Sequence, residues 1–126
     1  MFYFYIPNLV SNSKTIQLPA KPKGSETYFL VRCNGYCSGV NISLKVSSGD
    51  PDLFALDYVR PQLIKYSCLE CYPFCFSASF SATESCNNIT TFTEHLHVLV
   101  HAYENYQNGT ITFENVKDVE EVNEGK

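Results

Sequence analysis

A chain of 126 residues with nine Tyr and nine Phe can build one modest hydrophobic core, and its aromatic content excludes an intrinsically disordered segment. A formal charge of −4, with only nine Lys and Arg, excludes a basic nucleic-acid-binding face. No apolar run approaches the length of a membrane span, so no membrane insertion is expected from this segment.

Met1–Pro7 is apolar but lacks the basic region and the length of a secretory leader. Ile16 and Leu18 predict a short strand, which ends in a loop marked by Pro19, Pro22 and Gly24. Thr27–Cys33 predicts a strand with Phe29, Val31 and Cys33 on one side. Val40–Ser47 alternates cleanly: Val40, Ile42, Leu44 and Val46 share one face, and Asn41, Ser43, Lys45 and Ser47 the other. Gly49-Asp50-Pro51 reads as a turn, followed by a strand from Asp52 to Tyr58. Beyond Arg60-Pro61, Leu63–Cys68 is a further strand. Phe76, Ala78 and Phe80 alternate with Ser77, Ser79 and Ser81. Glu94–Asn105 places Leu96, Val98, Val100 and Ala102 on one face. Asn108-Gly109 is the preferred pair for a type I′ hairpin. That hairpin would set Gln107 opposite Thr110, Tyr106 opposite Ile111 and Glu104 opposite Phe113. Lys117–Lys126 is acidic and without aromatics, and is expected to be a tail or linker outside a domain spanning 1–116. Seven to eight short strands without a helical period predict an all-β, antiparallel β-sandwich.

Six cysteines, Cys33, Cys37, Cys68, Cys71, Cys75 and Cys86, predict a disulfide-stapled domain of an oxidising compartment. Zinc is the competing reading, because Cys33-x3-Cys37 and Cys68-x2-Cys71 are spaced roughly like ligand pairs. The irregular spacing favours disulfides, and the sequence leaves their connectivity open. The sequons at Asn41, Asn88 and Asn108 agree with a glycoprotein placed outside the cell or in a lumen. That placement requires a leader which this stretch does not contain.

Two constellations could hold a metal. Asp50, Asp52 and Asp57 could supply oxygens to an irregular calcium cage. The EF-hand form fails, because no Gly stands sixth in the loop and Pro61 occupies the place of the bidentate Glu. An acid/base role for Asp50 and Asp52 lacks a second catalytic group nearby. The structural alternative is a turn in which Asp50 accepts local backbone hydrogen bonds. His95 and His97 stand about 7 Å apart along one strand face and could bind zinc or copper, with His101 further along the same face. The alternative is a solvated strand face. No nucleophile elbow, zinc-protease helix or phosphate loop occurs, and paired cysteines leave no free thiol, so no enzyme is expected.

The order of Tyr28-Phe-Leu-Val31, Ser48-Gly-Asp-Pro-Asp-Leu-Phe54, His97–Tyr103 and Thr110-Ile-Thr-Phe113 resembles the pre-peptidase C-terminal domain family. Its motif like SGD-x-DLY is matched from Ser48 to Phe54, with Phe54 in the aromatic place. The resemblance covers about residues 14 to 116 and implies a jelly-roll-like sandwich without catalytic activity, appended to secreted proteases or other extracellular proteins. It implies an accessory module that recognises an extracellular protein or glycan, as part of a larger parent chain, with calcium in some relatives. Six cysteines depart from the family's usual bacterial members. They imply an elaboration in which Cys68, Cys71 and Cys75 staple a long loop to Cys86 or Cys33. The alternatives are a calcium- or zinc-dependent structural module, or the appendage of a secreted protease whose catalytic domain is absent.

Overall fold

The computed structural model describes residues 12–56, 75–77, 82–91 and 93–122. Among them are nine strands: β1 (Ser13–Leu18), β2 (Glu26–Arg32), β3 (Val40–Val46), β4 (Gly49–Leu56), β5 (Cys75–Ser77), β6 (Thr83–Ile89), β7 (His95–Tyr106), β8 (Gly109–Glu114) and β9 (Asp118–Val122). They form a four-stranded sheet, β1-β8-β3-β6, packed on a five-stranded sheet, β5-β4-β7-β2-β9. All pairings are antiparallel. The predicted all-β sandwich is therefore the observed architecture. Among the described residues no helix is long and apolar enough to cross a membrane.

The period-two patterns explain the core. Val40, Ile42 and Leu44 of β3 are fully buried, as are Ile111 and Phe113 of β8. Phe29 and Val31 of β2, Leu53 and Ala55 of β4, and Leu96, Val98 and Val100 of β7 meet them from the other sheet. Phe29 packs edge-on against Phe113 across the interface, with ring centroids 5.6 Å apart. Each of these Val, Leu, Ile and Phe side chains contributes about 1.5–3 kcal/mol by leaving water.

Three readings are corrected, and one strand was missed. The hairpin at Asn108-Gly109 does not form: β7 lies in the five-stranded sheet, whereas β8 pairs with β1 and β3 in the other. Gly109 is needed there for room, because a Cβ would lie 2.0 Å from the Lys45 carbonyl oxygen. The expected tail also joins the sheet. Asp118–Val122 pairs with β2, and Arg32 binds Asp118 at 3.0 Å and Glu120 at 2.9 Å. The turn expected at Gly49-Asp50-Pro51 is already strand. The chain turns at Ser47–Ser48, and Pro51 sits at a register shift between β4 and β7, where a missing N–H is tolerated. Finally, the strand β6 was not anticipated. Leu63–Cys68 and 78–81 lie outside the described residues.

The topology gives the sandwich two distinct ends. At one, three crossings between the sheets lie side by side: residues 33–39, residues 90–91 with 93–94, and residues 115–117. They are laced by Cys37 N–H to the Thr93 carbonyl, Thr91 N–H to the Cys37 carbonyl, and Asn115 Nδ2 to the Gly39 carbonyl. Cys33 and Cys37 are joined by a disulfide within the first crossing, which removes the zinc reading for this pair and Cys33 as the anchor of the long loop. Cys86 is also disulfide-bonded. Cys68 and Cys71 lie outside the described residues, as does the side chain of Cys75. At the other end are the β3–β4 corner, the β7–β8 crossing and the starts of β2 and β6.

Candidate functional site

Among the described residues, the second end gathers three carboxylates that lie close together. The β3–β4 corner is fastened to the β7–β8 crossing by Ser47 N–H to the Asn108 carbonyl and Gln107 N–H to the Ser48 carbonyl. Gly49 then takes φ +112°, and a Cβ there would fall 2.4 Å from both the Asn105 carbonyl oxygen and the Tyr106 Cα. Only glycine accommodates both the backbone angle and the contact. This close approach sets the path of the next three residues.

Asp50 and Asp52 on β4 meet Glu84 on β6, with one carboxylate oxygen of each within 4.8 Å of the others. All three are nearly withdrawn from water, at 8%, 9% and 2% exposure. Glu84 lies opposite Leu44 in the β3–β6 register, a position where an apolar side chain would ordinarily stand. Burial, followed by the charges of Asp50 and Glu84, raises the Asp52 carboxyl from 3.8 to about 6. Clustered carboxylates have two chemical outlets: protonation, or a hard divalent cation that takes oxygen ligands at about 2.3–2.6 Å.

Next to this group runs a row across three strands. Glu26 and Asp52 are the register neighbours of His101 on its two sides. His101 Nδ1 lies 3.5 Å from Glu26 Oε2, and Glu26 Oε1 accepts a hydrogen bond from Tyr28 Oη at 2.9 Å.

Thus Asp50 and Asp52 come together, whereas Asp57 lies outside the described residues. Glu84 was not singled out from the sequence. The signal was the alternation Glu84, Ser85, Cys86, in which a carboxylate takes a core-facing place. His95 is exposed opposite Arg32, and His97 is half-buried between Leu30 and Leu56. Neither belongs to the ligand group found among the described residues. The histidine face is not a solvated strand face: Leu99 is fully buried on it and Tyr28 is 3% exposed, both outside the inter-sheet core.

The three sequons differ as well. Asn108 and Asn88 are exposed. The Asn41 side chain accepts a hydrogen bond from Asn88 N–H at 2.8 Å and donates to Glu114 at 3.2 Å, which spans β6, β3 and β8. Compared with known proteins, the chain matches no family model and no curated sequence.

Proposed function

We propose that this chain is a non-catalytic accessory module of an extracellular or lumenal protein, of the pre-peptidase C-terminal kind, which recognises a protein or glycan partner. The observation that carries this reading is the disulfide-bonded β-sandwich, with Cys33, Cys37 and Cys86 all oxidised. Such bonds persist outside the reducing cytosol. A rigid two-sheet frame that displays its crossings at the ends is a common scaffold for recognition. The test is expression through a secretory pathway followed by intact-mass analysis with a thiol-alkylating reagent. No alkylation of the native protein is expected; six modifiable thiols would overturn the reading.

A second reading, a module that depends on calcium, is favoured by the approach of Asp50, Asp52 and Glu84 within 4.8 Å. Calcium at neutral pH should then raise the melting temperature relative to chelator, and Glu84→Gln should remove the difference. An unchanged melting temperature across both conditions rejects it.

A further inference from the structure

Resting on the accessory-module reading, we propose that the disulfide end is a binding tip for neutral carbohydrate, with Tyr36 as its stacking platform. Tyr36 is 64% exposed, at the crown of the five-residue loop closed by Cys33–Cys37. The loop is held from below. Cys37 is fully buried, Cys33 N–H donates to the Glu94 carbonyl at 2.9 Å, and Gly39 N–H donates to Thr90 Oγ1 at 3.2 Å. Gly35 and Gly39 take φ +73° and +66°, which turn the loop outward and back. The fold thus fixes in advance the backbone that carries this ring, which lowers the ordering cost of binding.

The surroundings select the ligand class. No charged residue occurs from Cys33 to Leu44 or from Ser85 to Thr93, although the whole chain has 22 Asp, Glu, Lys and Arg; the exposed Glu94 and Lys117 that border these stretches carry opposite charges and leave the end without net charge. Asn34, Ser38, Asn88, Thr90 and Thr93 are exposed in these two stretches and offer amide and hydroxyl groups. Such groups pair with a polyol, and the electron-rich face of a phenol ring receives the C–H face of a pyranose. One ring in a small polar surface suits a saccharide. A stable protein interface needs about 800 Å² per partner and a desolvated cluster of anchors.

The experiment uses the secreted protein, enzymatically deglycosylated because Asn88 lies at this end. It is tested on immobilised cellohexaose, chitohexaose, mannohexaose and a high-mannose N-glycan, with heparin fragments as the acidic control. At least one neutral probe should be retained. Tyr36→Ala should weaken its binding by about tenfold or more, and Tyr36→Phe, which keeps the ring, by less than about threefold. Tyr103→Ala, at the other large exposed aromatic among the described residues, should leave it unchanged. An unaltered melting temperature in Tyr36→Ala separates lost binding from lost folding. Retention by heparin alone, equal binding of Tyr36→Ala, or Tyr36-dependent capture by a glycan-free protein overturns the proposal. If a disulfide-bonded, secreted protein retains no neutral probe, the tip fails while the module reading stands; free thiols in that protein undo the module reading itself.

Discussion

The two ends of this sandwich are closed by opposite means. At the disulfide end, three crossings are held by a covalent bond and neutral hydrogen bonds, none of which titrates near physiological pH. At the other end, glycines that admit no side chain force backbones together, and three carboxylates gather in the space that results. The first end tolerates changes of solution but not of redox state. The second holds a buried carboxyl raised to about 6, so it responds to pH. One frame therefore separates two kinds of sensitivity by the length of a strand.

Three measurements sharpen that contrast. The largest effect is expected from Gly109→Ala. Its Cβ would stand 2.0 Å from the Lys45 carbonyl oxygen and 2.5 Å from the Val46 Cα, both backbone atoms. A loss of about 3 kcal/mol or more is expected in urea unfolding, enough to abolish folding of a marginal domain. A wild-type midpoint would show that the acid end is not sterically locked.

The next effect concerns pH. The folded-state carboxyl of Asp52 is raised, so its contribution is fully present below its ordinary value of 3.8 and is lost as pH rises through about 6. In chelator, stability should therefore fall between pH 4 and pH 6, by up to about 2 kcal/mol after allowance for screening. Asp52→Asn should flatten that slope. A slope that survives the substitution would assign it to another group.

The smallest effect is expected at the disulfide end. Replacing both Cys33 and Cys37 by Ala reopens only a five-residue loop, and the chain-entropy relation gives a loss of about 2 kcal/mol or a little less. That loss should be constant from pH 4 to pH 8. A pH-dependent loss would mean that the two ends are coupled.

The sequence was legible where one face met one core. β3 alternates without interruption and β7 does so apart from the buried Leu99, and the core-facing residues of both were placed correctly. The hairpin at Asn108-Gly109 failed for a physical reason. Ile111 and Phe113 face the same core whether β8 pairs with β7 or lies in the opposite sheet, so the apolar pattern could not separate the two arrangements. β9 was hidden because Asp118 and Glu120 look like a solvated tail until Arg32 stands beside them. β6 and the third carboxylate were missed together: Glu84 occupies the place where an apolar residue would have revealed the strand. Asp50 and Asp52 stand together beside Glu84, but the reading of Gly49-Asp50-Pro51 as a turn missed the early start of β4.

The edge strands have a mechanical consequence. β1 closes one sheet and β9 the other; Ser13 pairs with Glu114 near the disulfide end, whereas Val122 pairs with Tyr28 toward the acid end. Tension applied to the chain before Ser13 and after Val122 would run along the strands, not across them. Ladder hydrogen bonds lie perpendicular to the strands, so such a pull loads a whole ladder at once instead of unzipping it bond by bond. Placed in series between other segments, this domain would yield in shear, as a stiff link whose failure is abrupt.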